Sequence, residues 1–213
     1  TGGISGGVGN NIQMHQVGYA PSSFYVYQQV YDQDGRPMEG VYVDRDENGV
    51  INADDKYFFH KPAADFTMGL NTTLTYKNWT LAASGHGSLG NYIYNNVASD
   101  GEMLADLWTN SFTSNRLESA LWSNFNQACY LSDYYIKDAS FFKVDNVTLG
   151  YTFPSLFKSA KLDRALGLNI YATVQNVATI TNYEGLDPEV FSGIDNNLYP
   201  RPRTYILGVK FNF

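Results

Sequence analysis

The residues best suited to chemistry lie in one acidic stretch, DRDENGVINADD, between residues 44 and 55. Acidic and amide side chains occupy positions one, three, five and twelve of this segment, and Gly49 occupies position six. In EF-hand loops these positions supply hard oxygen ligands to calcium, position seven supplies a backbone carbonyl, and the glycine allows a sharp turn. The spacing therefore predicts a Ca2+ site. Its ligands would be Asp44, Asp46, Asn48, the carbonyl oxygen of Val50, and Asp55.

A solvated turn is the alternative interpretation of the same stretch. Asp55 is shorter than the glutamate that usually closes such a loop in bidentate fashion, and no helical pattern flanks the segment. Asp, Asn and Gly also favour turns in the absence of any ion. If calcium binds, we expect it to stiffen the long loop between residues 32 and 65. The sequence suggests no other cofactor and requires none.

The remaining reactive side chains form no recognisable catalytic set. His15, His60 and His86 stand at no ligand spacing and are interpreted as incidental. A glycosidase could use a pair of acids such as Asp187 and Glu189, but these two are neighbours in a turn. No nucleophile elbow can be identified. We therefore predict no catalytic residue and no enzymatic activity.

The composition predicts an all-β protein. The 213 residues include 19 Gly, 17 Tyr and 13 Phe, and only 16% are charged, which favours strands and turns over helices. The net charge of -7 and the absence of a Lys/Arg cluster argue against a nucleic-acid surface. No apolar run is long enough for a transmembrane helix, a test that does not detect barrel strands.

Several segments have the pattern of β-strands, and most of them alternate between apolar and polar side chains. These segments are residues 24–31, 66–76, 79–85, 141–153, 167–176 and 204–213. In the last of them, every odd-numbered residue from 205 to 213 is apolar. Such a face would be buried against a second sheet in a soluble sandwich, and it would face lipid in an outer-membrane barrel.

The connections between these strands favour a barrel. Long connections, at about 32–65, 86–140 and 177–203, alternate with short ones at 77–78 and 154–166. An up-and-down strand order then places the long loops at one end and the short turns at the other, as in transmembrane barrels. We predict an all-β, antiparallel up-and-down transmembrane β-barrel segment with long extracellular loops. The alternative is a soluble or secreted carbohydrate-binding β-sandwich with a calcium-stiffened loop.

The number of strands predicts that the chain is part of a larger barrel. Six strands are too few for closure, since even the small barrels have about eight. We expect residues 1–22 to be a Gly-rich segment that continues from missing upstream barrel, and residues 23–213 to be carboxyl-terminal barrel strands and loops. The alternative is an open sheet with an unpaired edge, which lipid does not tolerate.

Ordered motifs in the chain closely resemble the carboxyl-terminal region of SusC/RagA-type TonB-dependent outer-membrane transporters of Bacteroidetes. The motifs are FKVDNVTLGYTFP at 142–154, IYATVQNVATITNYEGLDPEV at 170–190 and YPRPRTYILGVKFNF at 199–213. Upstream, the acidic stretch at 44–55 is similar to an Asp/Asn/Gly-rich loop of that family, and GSLGNYIYNN at 87–96 is similar to the strand that follows. The resemblance covers most of the chain from residue 42 onwards.

This resemblance implies a large barrel, closed by an amino-terminal plug domain, in the outer membrane of a Gram-negative bacterium. It implies import of oligosaccharides or peptides, driven by TonB through the missing amino-terminal part and assisted by a SusD-like surface lipoprotein that acts as a lid. The barrel-assembly machinery and outer-membrane lipid would be further partners, and the resemblance allows a dimer of transporter–lid pairs. Transport would then belong to the complete protein.

The barrel interpretation assigns roles to two sets of residues. Polar residues opposite the apolar strand faces would line the lumen. These lumen-facing residues are Asn71, Thr73, Asn146, Thr148, Asn169, Tyr171 and Gln175. The terminal strand looks like the signal by which the barrel-assembly machinery recognises its clients. The residues of this signal would be Tyr205, Leu207, Val209, Phe211 and Phe213.

Overall fold

The fold consists almost entirely of β-strands. The structure is a computed structural model that describes residues 2–5, 9–107, 117–158, 165–196 and 199–212. The strands are β1 (Gly2–Ser5), β2 (Asn11–His15), β3 (Ser23–Val26), β4 (Gln29–Tyr31), β5 (Pro37–Tyr42), β6 (Tyr57–Phe59), β7 (Phe66–Tyr76), β8 (Trp79–Leu89), β9 (Tyr92–Asn95), β10 (Ile136–Asp138), β11 (Phe141–Lys158), β12 (Ala165–Thr181), β13 (Ile194–Asp195) and β14 (Thr204–Asn212). The helices are α1 (Asn96–Gly101) and α2 (Ser119–Ser123), with 3-10 turns at Ala53–Asp55, Leu104–Leu107 and Asp133–Tyr135. Within the described ranges, no helix is both long enough and apolar enough to cross a membrane.

The chain divides into two compact units. The strand unit contains residues 66–89, 141–181 and 200–213, and therefore the long strands β7, β8, β11, β12 and β14. The loop unit contains residues 1–65, 90–140 and 182–199, and therefore the short strands and the helices. The long strands and most of the polypeptide that connects them thus belong to different units.

The strand unit is one antiparallel sheet in the order β14-β12-β11-β8-β7. Each long strand pairs with the next long strand along the chain. Tyr76 pairs with Trp79 across the two-residue turn 77–78, and β11 ends and β12 begins at the same end of the sheet. The long connections that follow β8 and β12 leave from the opposite end. The predicted antiparallel up-and-down order is therefore confirmed.

Strand length in this sheet matches a membrane crossing. β7 and β8 each contain 11 residues and β14 contains 9. Roughly 9–11 tilted residues are needed to cross the hydrocarbon core of a bilayer. β11 and β12 are longer, with 18 and 17 residues. These two strands would therefore extend beyond the hydrocarbon.

One face of the sheet is apolar and exposed. Cross-strand pairing aligns a row of small and large apolar side chains over all five strands. The row consists of Leu74, Leu81, Leu149, Ala172 and Leu207. Leu74 is 62% exposed and Leu207 is 77% exposed. Water penalises such a surface, whereas lipid accepts it.

Aromatic rings collect on the apolar face beside the short turns. Tyr76 pairs with Trp79, and Trp79 pairs with Tyr151 on the next strand. The rings of Trp79 and Tyr151 meet edge to face with centroids 4.8 Å apart, and those of Tyr151 and Phe153 meet in the same way at 4.6 Å. Rings at this level of a barrel strand form the girdle at the membrane interface.

The loop unit folds around an apolar core of its own. It contains a four-stranded sheet in the order β1-β2-β3-β6, a three-stranded sheet in the order β10-β9-β13, and the pair β4-β5. Its core buries Ile12 of β2, Phe24 and Val26 of β3, Tyr94 of β9, and Tyr135. The described parts of the long connections therefore form strands and helices with buried side chains.

The structure corrects the sequence-based prediction for the first part of the chain. The segment 24–31, predicted as a barrel strand, forms β3 and β4 of the loop unit. Phe24 and Val26 alternate with polar residues because they fill the core of that unit. In the described residues the long sheet therefore has five strands, where six were predicted. Residues 1–22, expected to be a Gly-rich segment that continues from missing upstream barrel, contain β1 and β2, and Ile12 is completely buried; their continuation from an upstream barrel stays a prediction.

Candidate functional site

The acidic loop, residues 44–55, lies in the loop unit between β5 and β6. One carboxylate oxygen from each of Asp44, Asp46 and Asp55 lies within 4.8 Å of the other two. Negative charges this close repel each other unless protons or a cation offset them. The loop thus presents convergent hard oxygens of the kind that a divalent cation prefers.

Gly49 sets the turn in the middle of the acidic loop. Its φ is +82°, a conformation that residues with a side chain rarely adopt. The turn allows the N–H of Gly49 to donate to Asp44 at 2.7 Å, while the N–H of Asn48 donates to Asp46 at 3.2 Å. The loop backbone therefore orients the first two acidic side chains.

Asp55 is completely buried, and backbone groups hold its carboxylate. The N–H of Asn52 donates to one carboxylate oxygen and the N–H of Arg45 to the other, both at 2.7 Å. The hydrogen bond from Asn52 lowers the pKa of Asp55 below its ordinary value. Asp55 therefore keeps its negative charge at neutral pH and presents a carboxylate in a fixed position.

Asn48 and Val50 are the other two predicted ligands. Oδ1 of Asn48 accepts a hydrogen bond from the N–H of Val50 at 2.7 Å, and Nδ2 of Asn48 donates to Asp46 at 2.7 Å. The carbonyl oxygen of Val50 accepts a long hydrogen bond from the side chain of Asn52, at 3.4 Å. The structure thus brings three predicted ligands together and places Asn48 beside them. Binding of an ion stays a prediction.

The polar face of the long sheet carries all of the predicted lumen-facing residues. Asn71 and Asn146 both pair with Ser84, and Asn146 also pairs with Gln175. The same registers place the remaining members on this face. They are Thr73, Thr148, Asn169 and Tyr171. The structure therefore groups the seven residues on one surface, and their position in a lumen stays a prediction.

Hydrogen bonds between side chains connect neighbouring strands across this polar face. They join Asn146 to Ser84 at 2.5 Å, Thr148 to Thr173 at 2.7 Å, and Asn169 to Thr152 at 2.8 Å. Amide and hydroxyl groups can exchange such bonds with water or with a hydrated solute. The face is accordingly suited to the polar interior of a transmembrane barrel.

Tyr171 is the aromatic residue of the predicted lumen-facing set. It pairs with Gly150 on one side and with Gly208 on the other. A Cβ atom at Gly208 would lie 2.2 Å from the ring of Tyr171. Glycine at this position therefore lets the ring lie close along the sheet, as aromatic residues do beside strand glycines.

β14 carries four of the five residues of the predicted assembly signal. Tyr205, Leu207, Val209 and Phe211 all lie on the apolar face, and each is more than half exposed. Phe213 lies outside the described residues. The alternation that predicted this strand is therefore reproduced between residues 204 and 212, while its recognition by the assembly machinery stays a prediction.

A hydrogen-bonded histidine–carboxylate pair on the polar face has no counterpart in the sequence-based prediction. Nδ1 of His86 lies 2.8 Å from a carboxylate oxygen of Asp145. The register between β11 and β8 shifts between Val144 and Asn146, so Asp145 lies in a bulge. Bulges redirect side chains, and this one places a carboxylate beside His86. Spacing along the chain could not identify the pair, because the two residues lie 59 positions apart on different strands.

From the motif NYEGLDPEV of the loop unit, two hydrogen bonds converge on the buried carboxylate of Asp195. The hydroxyl of Tyr183 donates to Asp195 at 2.9 Å, and the N–H of Leu186 donates to the same carboxylate oxygen at 3.0 Å. The ring of Tyr183 fills the space that a Cβ atom of Gly185 would need. The N–H of Glu189 donates to Asp187 at 2.9 Å, as expected for two acids of one turn.

Comparison with known sequences relates the chain to outer-membrane receptors. No protein-family model matches it. The TonB-dependent receptor SusC of Bacteroides thetaiotaomicron is 46% identical over 213 residues, which cover 99% of this chain and 21% of that receptor. The TonB-dependent receptor P3 of Formosa agariphila is 29% identical over 202 residues, which cover 84% of this chain and 19% of that receptor.

Comparison with solved structures gives the same fold. The structure of the RagAB peptide transporter matches with a TM-score of 0.75 at 21% identity, over 96% of this chain and 24% of that one. The RagAB peptide importer in its closed-closed state matches with a TM-score of 0.71 at 23% identity, over 95% of this chain and 24% of that one. The five-stranded sheet is accordingly a segment of a transmembrane barrel.

The chain belongs to the family of SusC/RagA-type TonB-dependent outer-membrane transporters, and it corresponds to the carboxyl-terminal part of their barrel. It spans about a fifth of the length of the curated relatives that it matches. Both relatives are TonB-dependent receptors. The soluble sandwich, which the sequence left open, is set aside by these comparisons.

Proposed function

We propose that this chain is part of a TonB-dependent importer in the outer membrane of a Gram-negative bacterium. The observation that carries the proposal is a sheet with two unlike faces in a chain that is 46% identical to SusC. The apolar face is suited to lipid, and the polar face is suited to a hydrated passage. The complete transporter would supply the rest of the barrel.

The proposed partners are a SusD-like surface lipoprotein and TonB. The lipoprotein would act as a lid over the extracellular end, and TonB would act through a plug domain outside this chain. The proposed solute is an oligosaccharide or a peptide; the matching RagAB structures are those of a peptide importer. Two transporter–lid pairs could associate as a dimer. The similarity to SusC and RagAB supports these assignments.

In the proposed mechanism, this chain contributes one wall of the passage. Solute would be captured between barrel and lid, and TonB would then remodel the plug. Asn146, Thr148 and Asn169 present amide and hydroxyl groups on the polar face, where they can exchange hydrogen bonds with a moving solute. Such exchange supports passage, because no single contact is strong enough to trap the solute.

We also propose that the acidic loop binds Ca2+ in the complete transporter. The convergence of Asp44, Asp46 and Asp55 supports this proposal, as does the EF-hand-like spacing of the segment. The ion would offset the repulsion between the carboxylates and stiffen the chain between β5 and β6. It would have a structural role, without a part in chemistry.

The terminal strand is proposed to serve in assembly. Its apolar face, with Tyr205, Leu207, Val209 and Phe211, has the alternation expected of a strand that enters lipid. The barrel-assembly machinery would recognise this strand together with Phe213. After assembly, the same face would contact outer-membrane lipid.

The function can be tested by solute uptake in cells. Strains with and without the gene for the full-length protein would receive labelled neutral hexasaccharides or labelled peptides, each in the presence and absence of TonB. We expect accumulation of one solute class that requires both the gene and TonB. Accumulation that is independent of TonB, or unchanged by loss of the gene, would contradict the proposal.

A further inference from the structure

The paired strands β3 and β6 carry aromatic rings on the face of their sheet that points away from the core of the loop unit. Polar side chains are more usual on such a face. Phe24 and Phe59 point to the core of the loop unit, so the next residues, Tyr25 and Phe58, point away from it. Tyr25 contacts Phe58 with ring centroids 5.0 Å apart, and Tyr19 stacks on Phe58 at 3.7 Å. The three rings form a strip, and Tyr19 is half exposed at its end.

This strip ends in a pocket of about 310 Å³, which we name the aromatic pocket. Its size is at the lower end of the range of ligand pockets, roughly 300–1,000 Å³. Its walls combine rings with charged side chains. The lining residues include Tyr19, Phe58, His60, Lys61, Asp65 and Tyr92.

Several contacts fix the shape of the aromatic pocket. His60 stacks on Tyr92 with ring centroids 3.6 Å apart and ring planes 2° apart. The N–H of Tyr92 donates to the carbonyl of Lys61 at 3.1 Å, which ties β9 to the end of β6. Gly90 has a φ of +76°, and a Cβ atom there would lie 2.4 Å from Asp65. The pocket is therefore formed by close packing within the loop unit.

The polar groups of the pocket are balanced in charge. Nζ of Lys61 lies 2.7 Å from a carboxylate oxygen of Asp65, and both side chains are partly exposed. Burial lowers the pKa of His60, so its ring is neutral at neutral pH. A charged ligand would add a net charge to this neutral ion pair. The hydroxyl groups of a neutral ligand could instead accept a hydrogen bond from the ammonium group of Lys61 and donate one to the carboxylate of Asp65.

We propose that the aromatic pocket binds a sugar ring of a neutral oligosaccharide. The apolar C–H face of the sugar would pack on Tyr19, and its hydroxyl groups would bond to Lys61 and Asp65. A sugar ring presents an apolar face together with adjacent hydroxyl groups, the combination that Tyr19 and the Lys61–Asp65 pair can contact. This assignment rests on the proposed import function and selects the oligosaccharide from its two solute classes.

The experiment is calorimetric titration of the full-length transporter in detergent with maltohexaose, cellohexaose and mannohexaose. Two variants remove single contacts. Tyr19→Ala removes a half-exposed ring, and Asp65→Asn removes the charged acceptor while keeping the shape of the side chain. Phe191→Ala is the matched control, because Phe191 is a fully exposed aromatic residue of the loop unit that does not line the pocket.

We expect at least one hexasaccharide to bind, and Tyr19→Ala to weaken that binding by about two- to twelvefold, the range for loss of one aromatic contact. Asp65→Asn should also weaken it, and Phe191→Ala should not. The proposal is overturned if no hexasaccharide binds, or if binding is the same in both pocket variants and the wild type. Binding of an Ala-Ser hexapeptide that is lost in Tyr19→Ala would overturn it as well.

Failure of this proposal can be distinguished from failure of the import function. Equilibrium binding in detergent requires neither TonB nor an energised membrane. TonB-dependent uptake together with unchanged binding in Tyr19→Ala would contradict the pocket alone. Sugar binding that depends on Tyr19, without TonB-dependent uptake, would support the pocket and contradict import.

Discussion

At the residue scale, the acidic loop depends on a balance between carboxylate repulsion and backbone hydrogen bonds. Backbone N–H groups hold Asp44 and Asp55 in place. They offset only part of the repulsion between three carboxylates that lie within 4.8 Å of one another. A divalent cation would offset the remainder, which makes ion binding the property to test.

Asp44→Ala should abolish calcium binding at the acidic loop. The change removes the side chain at position one, which accepts hydrogen bonds from the N–H groups of Asn48 and Gly49. Calorimetric titration of the full-length protein with Ca2+ should show heat for the wild type and none for the variant. Asp34→Ala, which changes an exposed acid outside the loop, should behave as the wild type. Absence of heat in the wild type would refute the site.

Tyr183→Phe should destabilise the segment of the loop unit around Asp195. The variant removes the hydroxyl that donates to Asp195, a completely buried carboxylate. Loss of a donor to a buried acceptor costs about 1–3 kcal/mol. Hydrogen exchange of residues 182–196 should become faster by the corresponding factor, while Tyr199→Phe, at an exposed ring, should leave it unchanged. Equal exchange in both variants would show that the hydroxyl contributes nothing.

Sequence patterns identified functional residues that lie close together along the chain. They missed residues that come together only when distant strands pair. The spacing from Asp44 to Asp55 predicted a convergence of oxygens because one short loop holds all of them. His86 and Asp145 lie on different strands, and a bulge brings them together. No pattern along the chain could reveal the bulge, because it is defined by the register of two paired strands.

At the element scale, the two faces of β14 provide a direct test of which side meets lipid. Leu207→Arg places a charge on the apolar face, where the cost near the middle of the membrane is about 2–4 kcal/mol. Ile206→Arg places the same charge one residue earlier, on the opposite face of β14. The amount of heat-modifiable barrel in outer membranes should fall for Leu207→Arg and change little for Ile206→Arg. The reverse order would contradict the assignment of the faces.

Close pairing of β8 with β11 makes a second prediction. A Cβ atom at Gly85 would lie 2.6 Å from the backbone carbonyl oxygen of Lys143, whereas one at Gly69 would meet nothing within 4 Å. Gly85→Ala should therefore destabilise the barrel by about 1–3 kcal/mol, as overpacking does. Gly69→Ala is the control. The temperature at which the full-length barrel loses its heat-modifiable form should fall only for Gly85→Ala, and an equal fall in both variants would count against the pairing.

Alternation predicted all five long strands, and it also predicted one barrel strand that does not belong to the long sheet. The segment 24–31 has the same pattern as a membrane strand, because burial against a small core produces the same alternation as contact with lipid. Phe24 and Val26 face the core of the loop unit, and β3 pairs with β6. That pairing distinguishes the two cases, and it depends on residues more than thirty positions further along the chain.

At the scale of the whole molecule, the long sheet requires further paired strands at its two edges. Within the described residues, β7 and β14 each pair with a long strand on one side only. An unpaired edge is costly in lipid, because each free N–H and C=O group loses its bonds to water there. The chain also spans about a fifth of the length of its curated relatives. Both observations agree with a segment of a larger barrel.

The measurement that tests this account most directly is the location and size of the polypeptide that carries these residues. Outer membranes would be solubilised in detergent, separated by gel electrophoresis, and mapped for peptides from β11, β12 and β14. We predict a heat-modifiable band in the outer-membrane fraction, several times heavier than 213 residues alone. A band of 213 residues that is recovered without detergent would contradict the account.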